Sequence, residues 1–243
     1  MKTLKYSESE IPYNDFEKMG FSQEMIDDLP EYIMVKLLSG EKTPLLSSNI
    51  KDANGNPLKA SIWISENEDG TLEGYYRPYD NVRDYSEFNE EQQTELLKGE
   101  IIVTKLNDSP TSYYQMDEQT NRILSCPQDC IMKNFMGLQE HVGQIDKDLF
   151  SEGKRQTVEK DGNIITVGID LSDSKGYRVV DGDENKWLKD KEIEKSQKYT
   201  FGLYGCWVSG DDNLSYVPEE EFTDEMQRVK AESIKNKMNG IHV

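Results

Sequence analysis

The sequence predicts an α+β protein of tandem small modules, each a helix followed by an antiparallel β-meander, ending in a C-terminal helix. Three observations predict this. The phrase Leu-Leu-x-Gly-Glu occurs twice, as KLLSGE from Lys36 and as ELLKGE from Glu95. Each copy is followed by β-branched and aromatic runs separated by short Asn/Asp/Gly turns. A longer stretch then recurs in frame: FNEEQQTELLKGEIIV from Phe88 as FSEGKRQTVEKDGNIITV from Phe150, and YYQMDEQTNRIL as YRVVDGDENKWL. Gly99 to Gly162 and Tyr114 to Tyr177 span the same interval, and Asn121 to Asn185 is one residue longer. The expected organisation is an N-terminal α+β module over 1–80, a repeat module over 81–145, and a second repeat module over 146–243 that carries a C-terminal strand and helix.

Residues 1–10 are polar and read as a loose segment or an edge strand. Ile11-Pro12 opens a helix with Tyr13, Phe16 and Met19 at helical spacing, and Gly20 stops it as a left-handed residue. Ser22 is an N-cap for Gln23 to Asp28. Pro30 restarts the helix in its first turn, where its missing N–H costs nothing. Tyr32, Ile33 and Leu37 form a buried stripe, and Gly40 ends it. Asn54-Gly55-Asn56-Pro57 is a turn, Ala60 to Ser65 a strand, Glu68-Asp69-Gly70 a hairpin turn, and Leu72 to Arg77 the returning strand. Phe88-Asn89 caps the next helix, which has acids in its first turn and Gly99 at its end. Ile101 to Thr104, Tyr113 to Met116 and Arg122 to Leu124 read as strands. In the third unit Gln156 to Val158, Ile164 to Val167 and Tyr177 to Val180 read as strands, Asp181 to Asn185 as a turn, and Lys186-Trp187-Leu188 as a returning strand. Lys189 to Lys198 is a polar helix or loop. YTFGLYGCWV, Tyr199 to Val208, reads as one buried strand. Pro218 to Met238 reads as a helix with an apolar stripe of Phe222, Met226, Val229 and Ile234.

Composition excludes several function classes. Of 243 residues, 35 % are hydrophobic and 31 % charged, and the mean hydropathy is −0.79. The 13 Tyr, 7 Phe and 3 Trp nevertheless supply apolar bodies for small folded cores, unlike a disordered chain. There are 47 acidic and 28 basic residues, a formal net charge of −19. Such a surface repels nucleic acid and anionic membrane, and the sequence offers no basic run to override it. The three cysteines are too few for a disulfide-built domain. The first residues lack the apolar core of a signal peptide, and no stretch is apolar enough to span a membrane. The expectation is a cytoplasmic protein.

Catalytic motifs are absent. There is no phosphate-binding Gly-rich loop, no H-E-x-x-H and no G-x-S-x-G. Only His141 and His242 are available as histidines. Cys126-Pro-Gln-Asp-Cys130 with His141 downstream is the one weak metal or thiol constellation, but its C-x3-C spacing differs from the C-x2-C of zinc knuckles. Asp52 to Asn56 and Asp181 to Asn185 alternate oxygen donors as calcium loops do, but place Pro57 and Lys186 where the loop needs glycine. Both read as hairpin turns. No cofactor is expected. The densest aromatic cluster, Tyr75, Tyr76 and Tyr79, is a candidate interaction surface on an edge strand.

IPYNDFEKMGFSQEMIDDL followed by LLSGEKTPLL resembles the amino-terminal module of an uncharacterised family of Bacteroidetes. That family's pattern has Ile-Pro, a helix, a glycine, a second helix and a Leu-Leu-x-Gly/Trp-x-x-Thr-x-Leu-Leu ending, matched here by Thr43, Leu45 and Leu46. FNEEQQTELLKGEIIVTKL and its partner at Phe150 are similar to the companion repeat. The Asp52 to Pro57 insertion departs from the pattern. The resemblance implies a product of a conjugative or other mobile element, and it brings no catalytic residues with it. The resulting expectation is a non-enzymatic protein-binding or scaffolding factor. The alternatives are an acidic decoy that mimics DNA, and a metal- or thiol-dependent enzyme using Cys126, Cys130 and His141.

Overall fold

The computed structural model describes residues 4–80, 84–133, 135–173, 175–189 and 197–239. In chain order the elements are α1 (Tyr13–Lys18), α2 (Gln23–Asp27), α3 (Glu31–Leu38), β1 (Leu46–Lys51), β2 (Pro57–Glu66), β3 (Leu72–Pro78), α4 (Glu90–Leu97), β4 (Ile102–Thr104), β5 (Ser112–Asp117) and β6 (Arg122–Pro127). They continue as α5 (Gln128–Met132), α6 (Phe135–Val142), α7 (Lys147–Ser151), β7 (Gln156–Lys160), β8 (Asn163–Ile169), β9 (Tyr177–Asp181), α8 (Glu184–Lys189), β10 (Tyr199–Phe201), β11 (Gly205–Ser209), β12 (Leu214–Pro218) and α9 (Asp224–Asn239). The protein is α+β, as the sequence predicts. It divides into two compact units, 1–78 with 195–243, and 79–194.

The first unit is built on a six-stranded sheet in the order β10-β11-β12-β1-β2-β3. β1 runs parallel to β12, with Leu46 opposite Leu214, and every other pairing is antiparallel. The C-terminal strands and helix therefore belong with the N-terminal segment and not with a module over 146–243. The reason is β1: its free edge needs a partner, and β12 supplies it. Phe16, Phe21, Met25, Ile26, Ile33 and Leu37 from α1–α3 pack on one sheet face against Leu46, Ile62, Ile64, Trp207 and Leu214. On the other face, Cys206 and Val208 meet Phe222 and Met226 around the start of α9.

Most helix ends fall where expected. Gly20, Gly40 and Gly99 have φ of 84°, 75° and 73° after their helices. Four local readings are corrected. Residues 8–10 form a 3-10 turn, with the Ser7 N–H donating to Glu10 Oε2 at 2.8 Å, and the N–H groups of Lys5 and Tyr6 go to the Leu38 carbonyl, so no edge strand forms. Pro30 is the N-cap of α3 and lies outside its first turn. Residues 199–208 are a hairpin, with a turn at 202–204 between β10 and β11. The last helix starts at Asp224, since Glu219–Glu221 is a 3-10 turn and Thr223 Oγ1 caps α9 through the Met226 N–H. Ile234 points to solvent, so the stripe ends early. Of Lys189 to Lys198, residues 190–196 lie outside the described residues.

The second unit holds two three-stranded meanders, β4-β5-β6 and β7-β8-β9, each preceded by a helix, α4 and α7. Every residue of β5 is buried because both faces of its sheet are covered. Tyr114 and Met116 face Phe88, Leu96 and Ile102 below α4. Tyr113 enters a core shared with Ile131, Phe135, Phe150, Val167 and Ile169. The module pattern is as predicted, but the register of the repeat is different. Gly153, with φ of 78°, follows α7 as Gly99 follows α4, and Phe150 occupies the place of Leu96. The cross-strand set Val103, Tyr113 and Cys126 corresponds to Thr157, Thr166 and Val180. Gly162 instead forms the two-residue β7–β8 turn with Asp161, both at positive φ. Lys186-Trp187-Leu188 is helical within α8. Asp183 starts that helix, its carboxylate accepting the Lys186 N–H at 3.0 Å and its carbonyl the Trp187 N–H. Among the described residues no helix is long and apolar enough to cross a membrane.

Candidate functional site

Asp28, at the C-cap of α2, is only 4 % exposed. A buried carboxylate must be compensated, and this one accepts three hydrogen bonds. The consecutive N–H groups of Leu203 and Tyr204 donate at 2.6 and 2.9 Å, and the Tyr216 hydroxyl donates at 2.6 Å. Two successive backbone N–H groups converging on one anion form a small nest. The loop closes on itself through Gly202 N–H to the Gly205 carbonyl, and Tyr204 C=O accepts from Glu219.

Both flanking glycines are required by close approach. A Cβ on Gly202 would overlap the Asp28 carboxylate, and one on Gly205 would lie 2.5 Å from Tyr216 Cζ. Burial, the bond to Asp28, and the negative charge of Asp28, Glu24 and Glu220 all push the Tyr216 hydroxyl well above the usual tyrosine range. The result is a fixed turn whose tip turns outward: Leu203 is 79 % exposed and Tyr204 50 %. Glu219, whose N–H bonds the Tyr204 carbonyl, is exposed together with Glu220 and Glu221, and Lys230 is bonded to Glu219 at 2.8 Å.

The aromatic cluster expected as an interaction surface is divided. Tyr75 stacks on Trp63, with centroids 5.8 Å apart, and its hydroxyl donates to Asn67 and Glu73. Tyr76 alternates to the other face of β3 and is half exposed. Tyr79 falls in the second unit. Helix α1 also meets β3, where Asp15 Oδ2 accepts the Gly74 N–H at 3.2 Å and occupies part of the strand's outer edge.

Cys126 lies near the end of β6 and is half-buried, while Cys130 in α5 and His141 in α6 are exposed. All three cysteines are free thiols. Burial, then the neighbouring Cys130 thiol, push the Cys126 thiol up. Burial pushes the Cys206 thiol up to about 11. Among the described residues no three His, Cys, Asp or Glu side chains stand together as a metal site. Asp52 Oδ1 accepts the N–H groups of Asn54 and Asn56, both at 2.9 Å, so that segment is a hairpin turn. A cleft of about 520 Å³ in the second unit is lined by Glu91, Glu95, Ile101, Glu152 and Lys154 among others. Three carboxylates against one ammonium give it no evident anionic ligand, and its open walls do not enclose an apolar one.

Sequence reasoning missed Asp28, Gly202 and Tyr216. The signal was present as Gly-Leu-Tyr-Gly inside an apolar run, where paired glycines mark a turn. Searches against family profiles, curated proteins and solved structures find nothing similar to this chain.

Proposed function

We propose that this protein is a binding module that presents Leu203 and Tyr204 to a partner protein. The observation that carries the reading is the buried Asp28 clamp. The clamp fixes the turn and with it the outward direction of two adjacent large apolar side chains, so little further ordering is needed when a partner covers them. Leu and Tyr fit an apolar pocket, and the acidic neighbours favour a pocket rimmed by Lys or Arg.

The test is affinity capture with the intact protein, its Leu203→Asp variant and its Tyr204→Ala variant, across a salt series. Full burial of each side chain contributes about 1.5–3 kcal/mol, so either variant weakens a specific complex by roughly 10- to 100-fold. Salt then lowers affinity only modestly, since the charges lie at the rim. Capture that ignores both substitutions yet vanishes at moderate salt overturns the reading and favours an acidic decoy for a DNA-binding protein.

A further inference from the structure

The corner between β6 and α5 brings two thiols and a buried hydroxyl together. Cys126 is the second-last residue of β6, Pro127 is the N-cap, and Cys130 is the third residue of α5. Cys126 and Cys130 stand on either side of that N-cap, and their side chains are within reach of each other. The Cys130 thiol accordingly perturbs that of Cys126. Tyr113 stands directly opposite Cys126 in the β5–β6 ladder, so their side chains share one sheet face. Tyr113 is fully buried, and its hydroxyl proton meets no acceptor. The Gln128 amide nitrogen, which donates one hydrogen to the Ser151 carbonyl at 2.8 Å, offers its other to the hydroxyl oxygen and leaves the hydroxyl proton without an acceptor. A buried donor held without an acceptor beside a thiol is costly, and it becomes satisfied when that sulfur carries negative charge.

We infer that Cys126 and Cys130 are a dithiol pair that a hydroperoxide converts to an intramolecular disulfide. Cys130 is exposed and meets the oxidant first. Its thiolate attacks a peroxide oxygen; the S–O bond forms, the O–O bond breaks, and the departing oxygen leaves as water after taking a proton. Cys126 then attacks the Cys130 sulfur. The S–S bond forms, the S–O bond breaks, and the hydroxide that leaves takes up the Cys126 proton as a second water. Two thiols and one hydrogen peroxide thus give one disulfide and two waters. Burial opposes ionisation of Cys126, and the Tyr113 hydroxyl offsets this by donating to the sulfur as it gains charge. The disulfide ties the first turn of α5 to the end of β6, next to Ile131 in the shared core.

The experiment exposes the full-length protein to one equivalent of hydrogen peroxide, then to iodoacetamide, and maps the peptides by mass spectrometry. The expected product has lost two hydrogens and links Cys126 to Cys130. Cys130→Ser abolishes it. Cys126→Ser accumulates a Cys130 sulfenic acid that dimedone traps. Tyr113→Phe slows closure about tenfold, the loss of one hydrogen bond to a charged sulfur. Its near-UV circular dichroism reports whether the core is intact. Covalent dimers through Cys130, over-oxidation of Cys130 without a disulfide, or two thiols that remain fully alkylated overturn the inference. An unchanged closure rate in a folded Tyr113→Phe variant overturns the role of the hydroxyl.

Discussion

Replacing Asp28 by alanine tests the clamp most directly. The substitution removes an acceptor that holds two backbone N–H groups and the Tyr216 hydroxyl, all within 2.6–2.9 Å. The two N–H groups sit in a surface turn and can rehydrate, while the hydroxyl is partly enclosed. A hydrogen bond to a charged group contributes about 1.5–3 kcal/mol, and with the two N–H groups largely rehydrated the loss is about 2–4 kcal/mol. Urea unfolding of the variant is expected to show that loss at an unchanged m-value. Asp28→Asn keeps the shape but turns an amide donor toward existing donors, and is expected to lose about 2 kcal/mol. Gly202→Ala supplies the internal control. In the native background its Cβ overlaps the Asp28 carboxylate and costs at least about 1–3 kcal/mol by overpacking. In an Asp28→Gly background both the carboxylate and the Cβ of residue 28, which itself stands 2.5 Å from the added Cβ, are gone, so Gly202→Ala becomes nearly neutral. The double-mutant cycle therefore has a coupling energy of about 1–3 kcal/mol. An Asp28→Ala loss below about 1 kcal/mol, or additive effects at 28 and 202, would refute the clamp, since about 1 kcal/mol is an ordinary substitution cost.

Other measurements probe other parts of the structure. Tyr216 and Tyr13 are both raised in the folded state, in each case chiefly by burial and then by bonds to Asp28 and Asp27. The unfolded tyrosines ionise first, near pH 10, so stability is fully present below about pH 10 and falls as pH rises toward the folded values. Tyr216→Phe is expected to flatten that alkaline slope in pH-dependent urea titrations. Gly153→Ala places a Cβ 2.6 Å from Ile101 Cγ2 in a residue at φ 78°, whereas Gly162→Ala meets nothing within 4 Å at φ 81°. The first is expected to cost about 2–4 kcal/mol and the second about 1 kcal/mol, read from thermal midpoints. Arg178→Leu removes the cation 3.3 Å from Asp170, whose side chain is 2 % exposed, and the guanidinium stacked 3.9 Å over Trp187. It is expected to cost about 3–5 kcal/mol in the same assay, while Arg178→Lys recovers part of it.

Local chemistry in the sequence foretold the elements better than their partners. Ser22, Asn89 and the glycines after α1, α3 and α4 act within one helical turn of themselves, so their roles could be read residue by residue. The parallel pairing of β1 with β12 joins residues far apart in the chain, and neither strand's own composition names its partner. The repeat shows how a local match can mislead. Gly99 and Gly162 both take positive φ, but one ends a helix and the other turns a hairpin. Glycine answers both needs, so identity at that position carries no information about which need it meets. Gly153 corresponds to Gly99 as the residue that ends the helix, and Phe150 corresponds to Leu96 by its place in the core and not by residue type.

The same reasoning separates the two sites. Cys126 and Cys130 are visible in the sequence because cysteine is rare and their spacing is short. The polar partner that gives the pair chemical meaning, Tyr113, is supplied across a ladder and could not be read from spacing. Asp28 was one carboxylate among 47 acidic residues, and nothing local sets it apart. What distinguishes it is a loop that reaches it from the other end of the chain and has glycine where a Cβ would overlap the carboxylate. The co-occurrence of a buried acid and an obligatory glycine is therefore the feature to look for: substitutions that enlarge residue 202 should be tolerated only together with glycine at 28, since the Cβ of residue 28 stands 2.5 Å from a Cβ at 202. A selection for folded variants randomised at both positions tests this, and recovery of bulky residues at 202 with Asp28 retained would show that the turn is held by something else.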